Sequence, residues 1–162
     1  MTVQNKLSSK FYELLAGINF EKRYYEYYEN CRGREKMAGY NRQDCEAVLA
    51  STSLEFKYYK KENFFSHKQV YKKNEFILNV AFPYSTVELI FSVKAKDEVI
   101  GGPFSLLARQ VAQLREPNFE YSPPYPKIRF SNLDELQEAV KFGISLFEDV
   151  KQVILSDNDW ND

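Results

Sequence analysis

The sequence is poor in the residues that most often carry chemistry: it has one histidine and two cysteines in 162 residues. His67 stands among lysines, and we expect it to be exposed in a strand or loop. A Ser-His-Asp or Cys-His arrangement would need it buried beside a nucleophile. Cys31 and Cys45 lack a CxxC spacing and, with a single histidine, make a poor zinc ligand set, so we expect reduced thiols. The chain is therefore predicted to use no cofactor or metal and not to be an enzyme.

Long apolar runs are also absent. No stretch of 18 or more apolar residues occurs, which predicts that nothing spans a membrane. The N-terminal segment, MTVQNKLSSKFYELLAG, lacks a continuous apolar region followed by a small-residue cleavage site, so no signal peptide is predicted. We expect a cytoplasmic protein.

Two short stretches invite catalytic interpretations that the surrounding residues do not support. GGPF at 101–104 could suggest a phosphate loop, but neither GxGxxG nor GxxxxGK[ST] is present, and helix initiation explains it better. Glu55-Phe56-Lys57 has the acid-x-Lys spacing of metal-dependent nucleases. Such sites also need an aspartate on a neighbouring strand, and Asp44 falls in a predicted helix.

What the chain does have is aromatic content and uneven charge. Aromatic residues make up 16% of the chain, with 13 Phe and 12 Tyr, and its length suits one domain over residues 1–162. Residues 131–162 carry a net charge of about −6, whereas the remaining residues carry about +5. This asymmetry predicts differently charged surfaces. A solvated acidic helix and tail would explain it equally well.

Residues 1–30 are predicted to form the N-terminal helix. Apolar side chains recur at spacings of three, four and seven, which places on one side of a helix Phe11, Leu14, Leu15, Ile18, Tyr25 and Tyr28. In the stretch KRYYEYYE we expect Tyr25 and Tyr28 to lie in the core. Tyr24 and Tyr27 flank the apolar stripe and are the better candidates for an interface.

Residues 53–96 change to a period of two and predict a strand meander. Apolar and polar positions alternate in SLEFKYYKK, EFILNVAF and STVELIFSVKAK, with FFSHKQVY as a weaker strand between the first two. Residues 83–85 predict a turn between neighbouring strands. Gly101 and Gly102 are expected to break the last strand, and Pro103 to begin a helix over 103–114.

Three further elements complete the prediction. A short helix over 43–50 has Asn41 as its N-cap, and residues 128–130 form a short edge strand. The C-terminal helix spans 131–155, capped by Ser131 and Asp134, and its tail, 156–162, is expected to fray. The fold class is therefore α+β: an antiparallel sheet of three to five strands with long N- and C-terminal helices packed on one face.

The stretches IGGPFSLLARQVAQLREPNF and PPYPKIRFSNLDELQEAVKFGISLFEDV resemble small bacterial immunity proteins encoded beside secreted toxins. Those proteins belong to contact-dependent growth inhibition and related polymorphic-toxin systems, and the resemblance covers about the last 90 residues. It implies a cytoplasmic, stoichiometric inhibitor that binds one cognate toxin C-terminal domain and performs no chemistry.

An acidic surface would attract a basic toxin, such as a nuclease, and exposed aromatic side chains would anchor it. The candidate partner-binding residues are the margin and acidic positions of the first and last helices: Tyr24, Glu26, Tyr27, Glu29, Glu135, Glu138 and Asp149.

The alternative function is nucleic-acid binding or processing by strands 55–75. That region mixes six lysines with tyrosine and phenylalanine, the combination that single-strand binders use. Half of any alternating strand faces the core, however, and a pI near 6.0 argues against a dedicated nucleic-acid surface. Nucleic acid is therefore not the expected partner.

Overall fold

Among the residues that the structure describes, three helices precede a run of five strands, as the change from helical spacing to a period of two near residue 53 predicts. The computed structural model describes residues 3–161, and the side chains from Leu7 onward. The helices are α1 (Val3–Gly17), α2 (Phe20–Cys31), α3 (Arg42–Ala50), α4 (Phe104–Arg115), α5 (Leu133–Leu155) and α6 (Asn158–Asn161). The strands are β1 (Lys57–Tyr59), β2 (Phe64–Tyr71), β3 (Asn74–Ala81), β4 (Thr86–Ala95), β5 (Glu98–Pro103) and β6 (Ile128–Arg129).

Strands β1 to β5 form one antiparallel sheet in sequence order, and β6 pairs with the start of β4. The α+β prediction is confirmed. A 3₁₀ turn at Pro83–Ser85 joins β3 to β4, as predicted. No helix in the described part of the chain has both the length and the apolar character needed to cross a bilayer.

The core lies between one face of the sheet and the helices. Side chains of β3 alternate strictly between buried and half-buried positions. On β4, the Phe91 ring lies 5.7 Å from Phe11 of α1 and 5.8 Å from Phe147 of α5, so both long helices pack on the same face. Each such fully buried ring contributes roughly 2–3 kcal/mol through the area it removes from water.

The N-terminal helix predicted over 1–30 is in fact two helices. Asn19 adopts a left-handed conformation with φ of 57°, which ends α1 after Gly17 and starts α2 in a new direction. Asparagine tolerates this conformation better than most residues. The turn buries Phe20 completely. Across it, Arg115 donates to the carbonyl of Ala16 and pairs with Glu21, at 2.5 and 2.6 Å.

The start of α5 lies one residue beyond the predicted cap. Asn132 is the N-cap, and its side chain accepts a hydrogen bond from the Glu135 N–H at 2.9 Å. The Glu135 carboxylate in turn accepts from the N–H of Ser131 at 2.7 Å. The prediction that Ser131 and Asp134 form the capping box is therefore wrong by one position. The cap of α3 by Asn41 is confirmed.

The prediction of a frayed tail over 156–162 is wrong for the residues that the structure describes. Residues 158–161 form α6, and Trp160 is buried with its ring 6.2 Å from that of Phe11. Lys10 pairs with Asp157 at 3.4 Å. Asn161 donates to the carbonyl of Ile154 at 2.8 Å. The buried ring, the Lys10 ion pair and the Asn161 hydrogen bonds together offset the cost of ordering this otherwise polar segment.

Replacing Gly143 with alanine is expected to lower the free energy of unfolding by about 1–3 kcal/mol. An added Cβ would lie 2.6 and 2.7 Å from the two methyl carbons of Leu89, which is itself buried. Urea denaturation would measure the change. Ser145→Ala, at an exposed position of the same helix, is the control. Equal stability of the two variants would contradict close packing of α5 on β4.

Candidate protein-binding surface

Side chains of α2 and α5 meet in opposite order along the two helices. Arg23 near the start of α2 pairs with Asp149 late in α5, at 2.8 Å. Further along, the Tyr27 ring stacks on Phe142 with centroids 4.1 Å apart and planes 7° apart. Glu138 lies close enough to Tyr27 to affect its pKa. We call Glu26, Tyr27, Glu138 and Phe142 the helix-pair surface.

Tyr24 does not belong to this surface, and its prediction as an interface residue is wrong. Its side chain is 3% exposed, and its hydroxyl donates to the carbonyl of Pro126 at 2.6 Å. Burial raises its pKa. Tyr25 is buried as predicted, with its ring 4.4 Å from that of Tyr121. Tyr28 is only half-buried, so the prediction that it lies in the core is wrong.

The segment after α4 explains why Tyr24 and Tyr25 are the buried tyrosines. Residues 116–127 bring Phe119, Tyr121 and Pro126 against α2, where they cover Tyr24 and Tyr25. Which tyrosines of KRYYEYYE are buried therefore depends on residues about a hundred positions away, as well as on helical periodicity. The sequence patterns do not predict Phe142 as a surface residue. Its place on α5 next to the buried Gly143 is the signal that points to it.

Three of the candidate acids are paired within the molecule. Glu29 pairs with Arg32 at 3.0 Å and accepts a hydrogen bond from the Tyr121 hydroxyl. Glu135 pairs with Arg34 at 3.1 Å, and Asp149 is the partner of Arg23. The remaining two, Glu26 and Glu138, are exposed and make no ion pair with any residue that the structure describes.

The acidic surplus of the C-terminal segment is partly offset from outside it. Lys10, Arg23 and Arg34 pair with acids of the segment and offset about three of its six excess negative charges. The pair of Glu148 with Lys151, at 2.5 Å, lies within the segment and leaves its net charge unchanged. The segment therefore keeps a net acidic field.

Much of the unpaired positive charge lies on the sheet and its turns. Within the described part of the chain no ion pair involves its lysines Lys57, Lys60, Lys61, Lys68, Lys72, Lys73, Lys94 and Lys96. On the sheet face opposite the helices, Tyr59 stacks on Phe64 at 5.0 Å, with the ammonium groups of Lys57 and Lys68 5.2 and 5.9 Å from its ring centroid. Tyr58 and Phe65 pack against the core, which leaves Tyr59 and Phe64 as the stacked pair of rings on the outward face.

His67 is buried, contrary to the prediction, because the alternation of β2 places it on the helix side of the sheet. Its Nδ1 lies 2.7 Å from the carbonyl oxygen of Glu55. Since that oxygen only accepts, Nδ1 carries the proton. Nε2 has no hydrogen-bond partner among the described residues. The centroid of the imidazole ring lies 5.7 Å from that of Phe56 and 5.9 Å from that of Phe147. The imidazole is therefore packed as a core side chain with no hydroxyl or thiol bonded to it.

The two thiols are free and buried. Burial raises the pKa of both, that of Cys45 to about 12, so at neutral pH almost none of either is the nucleophilic thiolate. Among residues 3–161 no three His, Cys, Asp or Glu side chains come close enough to hold a metal ion.

Stability is expected to fall in alkali. Burial raises the pKa of Cys45, Tyr25 and Tyr27 to about 12 each. The unfolded chain releases these protons first, so their contribution is fully present below about pH 9 and is lost as pH rises toward 12. Each group contributes up to about 1.4 kcal/mol per pH unit in that window, less for the half-exposed Tyr27.

We expect the free energy of unfolding to fall by at least about 2 kcal/mol between about pH 9 and about pH 11. Urea titrations at successive pH values would measure it. The variant Cys45→Ala should lose less stability over the first unit of this range than the parent does. Constant stability up to about pH 11 would contradict the burial of these groups.

The chain matches no family model, no curated protein and no solved structure in the three comparisons made with known proteins.

Proposed function

We propose that this chain is an immunity protein, which binds and neutralises a toxin domain stoichiometrically in the cytoplasm and catalyses no reaction. The observation that carries the proposal is the helix-pair surface. The stacked rings of Tyr27 and Phe142 are half-exposed, and the unpaired Glu138 lies close enough to Tyr27 to affect its pKa. Glu26, the neighbour of Tyr27 in sequence, is exposed and makes no ion pair with the described residues. Aromatic anchors at the centre, with charged groups at the rim, are typical of protein interfaces.

The same surface favours a basic partner. Glu26 and Glu138 have no cation of their own in the described chain, so an incoming Lys or Arg would meet them without displacing an internal ion pair. Such charges mainly accelerate association and select the partner, whereas the ring stack supplies the apolar contact. The proposed partner is the C-terminal domain of a secreted toxin, with a basic surface such as nucleases carry.

The test begins with the gene immediately upstream. If that gene encodes a large secreted protein, its C-terminal domain would be expressed with and without this chain, and growth of the host would be scored. Protection by this chain, with a one-to-one complex in calorimetry, is the expected result. An unrelated neighbouring gene, or a toxin domain that this chain neither binds nor neutralises, would contradict the proposal.

Two charge reversals test the surface. Glu26→Lys with Glu138→Lys should weaken the complex by about 10- to 100-fold and slow its formation. Glu62→Lys makes the same kind of charge change at an exposed position of the β1–β2 turn and is the control. If the double variant binds as tightly as the control, the toxin contacts another face.

A further inference from the structure

The second half of β2 has no neighbour on its outer side. β1 pairs only with Phe64, Phe65 and Ser66, whereas β2 continues to Tyr71. Upstream of β1 the chain leaves the sheet, and the carbonyl of Glu55 is bound by the His67 side chain instead of by the β2 backbone. Residues 68–71 therefore form an open sheet edge, on which Val70 is 74% exposed.

The hairpin geometry shows which backbone groups that edge presents. β2 and β3 are joined by the two-residue turn Lys72-Lys73, with Tyr71 opposite Asn74. The closing pair of such a turn exchanges hydrogen bonds, and bonded pairs then alternate along the ladder. Gln69 thus bonds to β3, and the N–H and C=O groups of Lys68 and Val70 point outward. Backbone hydrogen bonds outside the regular elements of the described chain include neither residue.

There is space beside this edge. A groove of about 560 Å³ opens where β1 leaves β2. One wall is the segment 53–57, and the other is the strand from Ser66 to Gln69. An extended chain lying in the groove would continue the position of β1 along β2. It would then meet the outward groups of Lys68 and Val70.

We propose that this edge binds an extended acidic segment of a partner protein, which adds to the sheet as a strand beside β2. Charge selects the occupant: Lys57, Lys68, Lys72 and Lys73 are near the groove or the end of the edge and make no ion pair with the described residues. Edge lysines commonly prevent pairing with other sheets. An acidic strand converts the same charges into attraction, with affinity from backbone hydrogen bonds.

A second copy of this chain is not the expected occupant. Pairing of two β2 edges would bring Lys68 and its neighbouring lysines of both copies together, and like charges opposite each other destabilise paired strands. The edge shares no residue with the helix-pair surface, so this inference stands or falls independently of the proposed function.

The test is an NMR titration of the ¹⁵N-labelled protein with a blocked peptide of about nine residues that alternates glutamate and threonine. The expected result is a shift of the Lys68 and Val70 amide signals and at least about tenfold slower exchange of those amide protons. The control peptide has prolines in place of its central threonines, which removes backbone donors but keeps every glutamate and so the charge.

Two variants keep the proposal falsifiable. Val70→Pro removes an outward N–H without breaking a bond to β3 and should abolish the effect. Lys68→Glu should weaken binding at least about tenfold, whereas Lys141→Glu, at an exposed position of α5, should not. The proposal is overturned if no edge amide shifts at about 1 mM peptide, or if the proline peptide shifts them equally. It is also overturned if an oligothymidine strand binds there in preference, or if the protein alone dimerises through this edge.

Discussion

Replacing Gly101 with alanine is expected to destabilise the protein by more than about 4 kcal/mol, a loss that only severe mechanisms produce. Gly101 lies inside β5 opposite Ser92, with φ of +143°. A Cβ there would lie 2.1 Å from the carbonyl oxygen of Phe91 and 2.8 Å from the Cα of Ser92. Because both are backbone atoms of the central strand β4, relief requires β5 to move away and to lose part of its ladder.

Urea denaturation, followed by the fluorescence of the buried Trp160, would measure the loss of stability. Gly102→Ala is the matched control, since its Cβ would meet only side-chain carbons of Leu106 and Leu107 at 3.5 and 3.9 Å. Strain at its φ of +157° is expected to lower stability by about 1–3 kcal/mol. If Gly101→Ala lowered the free energy of unfolding no more than Gly102→Ala does, that result would contradict the close approach of β5 to β4.

Replacing Arg115 with methionine is expected to lower the free energy of unfolding by about 3 kcal/mol. Glu21 is buried, and its Oε2 lies 2.6 Å from Nε of Arg115, whereas its Oε1 has no partner among the described residues. Removing the guanidinium leaves a buried carboxylate uncompensated, which typically costs about 3–5 kcal/mol. The lower end of that energy range applies because the Arg115 side chain is 38% exposed, so water partly screens its charge.

Thermal and urea unfolding of two further variants would identify the cause. Arg115→Met combined with Glu21→Gln should recover much of the loss, because no buried charge remains. Arg42→Met makes the same substitution where the guanidinium pairs with exposed Glu46 and lies 4.9 Å from the Tyr58 ring centroid, and it should lower stability by no more than about 1 kcal/mol. A loss that Glu21→Gln does not relieve would assign the effect to the hydrogen bond that Arg115 donates to Ala16.

The elements with regular periodicity were predictable from local sequence. The period-two segments of β3 and β4, the weaker strand β2, the long helix α5 and the Asn41 cap of α3 lie where the patterns place them, whereas β1 keeps only Lys57–Tyr59 of its predicted stretch. Each of these depends on residues within a few positions of one another. Turn and cap chemistry and the alternation of side chains act at that range, so no knowledge of distant contacts was needed.

The errors concern residues whose environment is supplied from far along the chain. Gly101 and Gly102 looked like strand breakers, yet they let β5 approach β4 closely, and the need for that approach exists only once β4 is beside them. The tail looked too polar to be ordered, but Trp160 packs against Phe11 of α1. Neither partner is visible in the local pattern.

The candidate site shows the same division. The sequence by itself determined that KRYYEYYE is helical and that its rings and acids occupy different sides of that helix. Only the tertiary structure decided that Tyr24 is buried beneath Pro126, that Tyr27 stacks on Phe142, and that arginines neutralise Glu135 and Asp149. Periodicity fixes the direction of a side chain relative to its own helix, whereas exposure and free charge depend on what the rest of the chain packs against it.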